Sequence, residues 1–134
     1  MVDQIKIIQH FTDEVWNNQN FNVFEKVIRQ DFEYNDPLAP DTHDKKDYKK
    51  FIKEIQLGCP DMKYEVIDTI SEKNKVAVLY SWSGTPNFEI GGVKPSGEKV
   101  EHKGVAIYYF DEDKVYKTWD IWDKYSLIMQ LKSA

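Results

Sequence analysis

KVEHKGVAIYYFDEDKVYKTWDIWD, residues 99–123, reads as two long strands joined by a tight acidic turn, and the rest of the chain is arranged around it. Strand alternation along 115–122 puts Tyr116, Thr118, Asp120 and Trp122 on one side, and Val115, Lys117, Trp119 and Ile121 on the other. With the turn centred near Glu112, the first face continues across the hairpin as His102, Gly104, Ala106 and Tyr108. The second continues as Val105, Ile107 and Tyr109. A slip of one residue would exchange these partners. In this register the small residues Gly104 and Ala106 lie near Asp120 and leave space above it, walled by Tyr108, Tyr116 and Trp122. The result is a pocket floor holding one acid.

The 134 residues suit a single domain able to bury roughly two-thirds of its unfolded surface. Four Trp, eight Tyr and seven Phe supply a core in spite of 31% charged residues, so disorder is not expected. The net charge is −5 with acids and bases interleaved, which makes nucleic acid and anionic membrane poor partners. The longest apolar run, Val76 to Tyr80, is far short of a membrane span, and the N-terminal residues lack the pattern of a secretory signal. A cytoplasmic protein is expected. Cys59 is the single cysteine, which excludes an intrachain disulfide and any multi-thiolate metal site. It is expected to pack beside Pro60, since a nucleophilic role would need a base nearby.

Apolar Ile5, Ile8, Phe11, Val15 and Trp16 recur at helical spacing, predicting a long first helix from Asp3, its cap, to about Asn18. Asn22 and Glu25 resemble a capping box for a second helix through Phe24, Val27 and Ile28, with Phe21 stapling its entry. Residues 31–38 read as a short strand running into a loop at Pro37. Asp44 then caps a third helix carrying Tyr48, Phe51, Ile52 and Ile55, stopped by Gly58 and Pro60. Met62–Ile70 and Lys75–Ser83 form a hairpin across Glu72–Asn74, and a Gly/Pro-punctuated loop, Thr85–Gly97, leads to the 99–123 hairpin. A last helix starts after Asp123. This order implies an α+β domain whose mostly antiparallel, curved sheet wraps helices into a cone, a place where small-molecule cavities form.

Several pieces, in this order, carry a family resemblance: Phe11-Thr-Asp-Glu-Val-Trp-Asn-Asn-Gln-Asn-Phe, Phe32-Glu-Tyr-Asn-Asp-Pro, Gly58-Cys-Pro-Asp, Lys75-Val-Ala-Val, Ser83-Gly-Thr, Pro95-Ser-Gly-Glu-Lys and Trp119-Asp-Ile-Trp-Asp. Over nearly its whole length the chain resembles the SnoaL-like polyketide cyclases of the NTF2-like superfamily, whose fold is such a cone. The resemblance implies an aspartate beside the tryptophan of the last strand acting as general acid/base in an aldol ring closure, without metal or cofactor. Asp120 occupies that position. It also implies polar side chains around the substrate, matched by Asn35 and Asp36 and, in the register above, by His102. The chain departs from the pattern at Pro86, where family members often have histidine, and through the loop Pro86–Gly92. A homodimer through the outer sheet face is implied as well, in keeping with the apolar set Val105, Ile107, Tyr109, Trp119 and Ile121, because such patches are rarely left bare.

As an enzyme residue, Asp120 would take a proton beside a carbonyl, with its pKa raised by an aromatic pocket. The enolate would be held by donors among His102, Asn35, Tyr34, Tyr80 and Thr118. The alternative is a buried acid hydrogen-bonded to hydroxyls, holding strand and helix together. His102 is either the acid partner of Asp120 or a strand histidine at the rim. Tyr34, Asn35 and Asp36 either line the cavity mouth or make an ordinary Asn-Asp-Pro turn. Tyr80, Thr118 and Trp122 complete the expected substrate-binding set. The three histidines are too scattered for a metal site, and no cofactor is expected. Two functions compete: a cofactor-free cyclase, isomerase or hydratase acting on a small apolar carbonyl compound, and a non-catalytic module holding a hydrophobic ligand in the same cone. A structural dimer with a collapsed cavity is a third possibility.

Overall fold

The structure, a computed structural model, describes residues 2–133. Helix α1 (Gln4–Phe11) is capped by Asp3, whose side chain accepts from Lys6 N. It does not run on as one regular helix to Asn18. Thr12–Asn17 widens into a π-helical segment, closed by Asn18 N donating to Asp13 O at 3.0 Å. Thr12, Val15 and Trp16 of this segment are all buried. Gln56, itself buried, donates to the carbonyls of Val15 (2.8 Å) and Trp16 (3.0 Å), satisfying backbone groups that the widened turn leaves open.

Helix α2 (Phe21–Val27) begins two residues earlier than the Asn22/Glu25 pattern predicts. Its cap position is Asn20, which makes no side-chain capping bond. Glu25 instead faces Lys45 and Lys49 of the next helix, at 3.1 and 2.9 Å. Strand β1 (Ile28–Asn35) leads to a loop and to α3 (Lys45–Gly58), where Asp44 and Asp47 form a reciprocal capping box. Strands β2 (Lys63–Glu72) and β3 (Lys75–Gly84) meet at a turn where Lys73 and Asn74 both have positive φ, 49° and 62°. Strands β4 (Val100–Asp111) and β5 (Lys114–Trp122) make the final hairpin. Helix α4 (Lys124–Ser133) follows, with Asp123 Oδ1 accepting from Ser126 N as its cap.

The five strands form one mixed sheet in the order β1-β5-β4-β3-β2, antiparallel except for the parallel β1–β5 pair. Register shifts interrupt β1–β5, β2–β3 and β4–β5, and bulges of this kind bend a sheet. The inner face, with Val76, Val78, Tyr80, Ala106, Tyr108 and Phe110, closes on Ile8, Phe11, Phe24, Tyr48 and Ile52 of the helices. Two amide side chains seal strand edges. Asn17 both donates to Tyr64 O (2.8 Å) and accepts from Tyr64 N (2.7 Å), and Gln130 does the same for Glu101. Among the described residues no helix is long and apolar enough to cross a membrane.

Candidate functional site

The β4–β5 register pairs Ala106 with Asp120, Gly104 with Trp122 and Tyr108 with Thr118, so the small residues stand beside the acid as the alternation predicts. His102 shares that face. Tyr116 does not. Tyr109 pairs with Lys117 and Phe110 with Val115, which leaves Tyr116 as the extra residue of a bulge. Its ring sits outside against Tyr109 (6.3 Å between centroids) with the Arg29 guanidinium 4.9 Å above it, and Val115 fills the core in its place.

Above this floor is a cavity of about 220 Å³, so the cone has not collapsed. Asp120, His102, Tyr80 and Trp122 line it together with side chains drawn from every layer, among them Trp16, Phe51, Tyr64, Trp82 and Leu127. Aromatic rings stack around it: Trp16 on Tyr64 at 5.3 Å, Tyr64 on Tyr80 at 4.5 Å, and His102 at 5.4 Å from Trp82 and 5.3 Å from Trp122. The loop after β3 supplies Phe88, Ile90 and Gly91 to the rim. Gly91 has φ 58° and lies where a Cβ would overlap Ile128 of α4, so the turn that brings Ile90 inward needs glycine there.

Asp120 takes part in no ion pair among the described residues. Its Oδ1 accepts from the Tyr80 hydroxyl at 2.8 Å and its Oδ2 lies 3.3 Å from the Tyr34 hydroxyl. Burial raises its pKa from the ordinary carboxylate value to about 7. The nearby Asp36 adds to the rise, while the Tyr80 and Tyr34 hydrogen bonds oppose it. His102 moves the other way, to about 4, because burial disfavours the imidazolium more than Asp123 favours it. At neutral pH the ring is uncharged, and its Nδ1 is buried without a partner among the described residues. No hydrogen bond joins His102 to Asp120. The groups on the acid are the two tyrosines, whose own pKa values burial and the Asp120 charge push up, so they stay donors.

The other expected substrate contacts divide. Tyr34 and Asp36 stand behind the cavity wall, linked to it through Asp120 and Trp122: Trp122 Nε1 donates to Asp36 at 2.9 and 3.1 Å. Asn35 turns away, donating to Glu33 and to the Thr118 carbonyl. Thr118 is buried with an unpartnered hydroxyl and does not reach the cavity. Sequence reasoning gave no place in the wall to Tyr64, Phe88 or Ile90. Phe88 and Ile90, large apolar residues inside a Gly/Pro-punctuated loop, are the available signal. Cys59 is fully buried and its thiol is pushed up to about 11, which keeps it inert. Among the described residues no cluster of His, Cys, Asp and Glu could hold a metal ion.

The model of the family described as SnoaL-like polyketide cyclase matches residues 6–131. Among solved structures, a candidate polyketide cyclase from Acidithiobacillus ferrooxidans is 27% identical with a TM-score of 0.82, over 96% of this chain and 94% of that one. IdmH, a candidate polyketide cyclase from Streptomyces antibioticus, is 22% identical with a TM-score of 0.86 over 97% and 99%. A SnoaL-like polyketide cyclase from Agrobacterium tumefaciens is 20% identical with a TM-score of 0.85 over 98% and 99%. No curated protein gives a significant match. The cone, the curved sheet and the family match along almost the entire chain agree, and the chain belongs to the SnoaL-like polyketide cyclase family of the NTF2-like superfamily.

Proposed function

We propose that this protein is a cofactor-free enzyme in which Asp120 serves as general acid/base on a small apolar carbonyl compound, in a reaction of the cyclase, isomerase or hydratase type. The observation that carries it is the environment of Asp120: a carboxyl in no ion pair at the wall of an aromatic cavity, with the Tyr80 hydroxyl donating to it, the Tyr34 hydroxyl 3.3 Å away and a pKa of about 7. Acid/base groups work best when they titrate near working pH. Asp120 takes the proton beside the carbonyl, the C–H pair becomes the enolate double bond, and the negative charge moves to the carbonyl oxygen. Neutral His102, which lines the same cavity from the same face of the sheet, is the group that would donate to that oxygen. Return of the Asp120 proton to carbon or oxygen completes the cycle. The cavity, smaller than the roughly 300–1,000 Å³ of drug-sized sites, favours a compact substrate.

The test is deuterium exchange at the carbon beside the carbonyl of tetralone, acetophenone and ethyl phenylacetate in deuterium oxide, followed by proton NMR. Wild type should accelerate exchange, and Asp120→Asn should lose about 10²–10⁴-fold of that acceleration. The overwhelmingly apolar lining also suits a module that only holds a hydrophobic ligand. Ligand-induced shifts of cavity tryptophan resonances without exchange would favour that reading and remove Asp120 as a catalyst.

As part of the same reading, the outer sheet face pairs with a second copy. Val105, Trp119 and Ile121 are 42%, 39% and 54% exposed on adjoining strands, an apolar surface of the kind that association covers. Sedimentation equilibrium should give a dimer that Trp119→Lys with Ile121→Lys dissociates. A wild-type monomer at all concentrations would refute the pairing.

A further inference from the structure

The Tyr34 hydroxyl lies between two carboxylates, 3.0 Å from Asp36 Oδ2 and 3.3 Å from Asp120 Oδ2. A phenol has one proton, so it can donate to one of them at a time. Asp36 is buried, and its oxygens already accept from Trp122 Nε1 and from Leu38 N at 2.8 Å. It is an acceptor on every side, and the shorter distance assigns it the Tyr34 proton. Asp120 Oδ2 then faces a hydroxyl oxygen whose proton points elsewhere. Two facing acceptors repel, unless Asp120 carries a proton of its own and donates it to Tyr34.

We propose that Asp36 is a positioning residue that acts on Asp120 through the single proton of Tyr34. While Asp36 holds that proton, Asp120 is kept neutral, with its acid proton bridging Oδ2 and the Tyr34 oxygen. When the Tyr34 O–H turns to Oδ2, Asp120 is stabilised as a carboxylate and can accept a proton. No bond to carbon is involved: one O–H rotates, Asp120 gives its own proton to ligand or solvent, and the carboxylate charge left on Asp120 is balanced by the proton it released. The catalytic meaning of this device rests on the acid/base reading of Asp120, but its geometry is complete without ligand.

The other titratable groups around Asp120 leave this arrangement in control. Tyr48 of α3, Tyr64 of β2, Tyr80 of β3 and Tyr108 of β4 are all raised by burial and remain protonated. His102 of β4 is lowered by burial and remains neutral above about pH 4. Glu89 and Lys124 stand on the cavity lining without an ion pair to Asp120.

The test is the titration of the Asp120 carboxyl carbon by NMR, assigned through Asp120→Asn and measured without ligand. In Asp36→Asn, the new amide can donate to the Tyr34 oxygen while its carbonyl keeps Trp122 and Leu38, so the Tyr34 proton is freed for Asp120. The Asp120 midpoint should fall by about one pH unit or more. Tyr34→Phe removes the donor and should raise the midpoint. The Asp36→Asn shift should shrink to less than half in the Tyr34→Phe background, because only the charge of Asp36 then acts. Equal Asp36→Asn shifts in the two backgrounds would mean simple charge repulsion and overturn the proposal. If Asp36→Asn fails to fold, the sign for Tyr34→Phe decides: a rise supports the shared proton, and no change or a fall overturns it. Failed deuterium exchange with these shifts intact would remove the enzyme reading and keep the relay, whereas exchange with additive shifts would do the reverse.

Discussion

Two walls of one cavity treat charge in opposite ways. Where β5 meets β1, Asp120 sits among hydroxyls, with Tyr80 and Tyr34 within 2.8 and 3.3 Å. Where β4 meets β3, His102 sits among ring faces, 5.4 Å from Trp82, 6.1 Å from Tyr80 and 5.3 Å from Trp122, and its Nδ1 finds no partner. Burial drives both toward neutrality. For the acid, neutrality means holding a proton at pH values where a free carboxyl has lost it. For the imidazole it means lacking one where a free histidine has it. One low-dielectric cavity therefore presents an acid and a base as two uncharged groups, and pairs driven apart in this way mark acid/base assignments.

The sharpest break in that comparison is the pH dependence of stability. Folded Asp120 keeps its proton to about pH 7 and the unfolded carboxyl to about 3.9, so its contribution is full below pH 4 and is lost as pH rises toward 7. Folded His102 loses its proton near pH 4 and the unfolded ring near 6.5, so its contribution is full above 6.5 and is lost as pH falls toward 4. Between about pH 4 and 6.5 the two slopes oppose each other. Relative to wild type, Asp120→Asn should gain stability with rising pH by about 1.4 kcal/mol per unit in this window, and His102→Phe should lose a similar amount. Urea melts at half-unit steps read both slopes. Parallel curves for wild type and the two variants would refute the opposed pair.

A smaller effect isolates the acid wall. A Cβ on Gly104 would overlap the Tyr80 hydroxyl, so Gly104→Ala must push that ring off Asp120 or shift the strand. Overpacking of this kind costs about 1–3 kcal/mol. The lost 2.8 Å bond should raise the Asp120 midpoint and leave that of His102 in place. Denaturation midpoints and the carboxyl titration check the two parts. An unchanged Asp120 midpoint would mean that Tyr80 does not help hold the carboxylate.

The readable part of this molecule was local. Alternation through residues 99–123 placed Gly104, Ala106, His102 and Asp120 on one face, Asp44 announced its helix, and Asn74 marked a turn that positive φ requires. The misreadings arose where an extra residue interrupts a period. The bulge at Tyr116 moves that ring outside, and the π-helical turn at Thr12–Asn17 breaks a helix that apolar spacing alone makes continuous. Which of the candidate donors reach Asp120 is unreadable for another reason. Tyr34 reaches it through a parallel pairing, Tyr34 opposite Thr118, between strands 86 residues apart at the Tyr34–Asp120 contact, and no local pattern encodes that. Sequence alone therefore offers His102 as the acid partner, near in the chain and chemically apt, and the Tyr34 and Tyr80 hydroxyls only as two donors among several.

The aromatic stack that links the two walls depends on a residue with no chemistry of its own. Asn17, at the end of the π-helical segment, holds both backbone groups of Tyr64 on the free edge of β2. Tyr64 in turn stacks between Trp16 and Tyr80, and Tyr80 carries the hydroxyl on Asp120. Asn17→Ala opens that edge to water, which replaces the lost bonds in part, so the expected cost is about 1 kcal/mol. The effect should fall on β2 and not on the β1 side: amide exchange at Tyr64 should speed up, while the carboxyl titration of Asp120 should hardly move. A large shift of that titration would show that the acid is held through the Trp16–Tyr64–Tyr80 stack as much as by its own hydrogen bonds, and that the two walls are one unit.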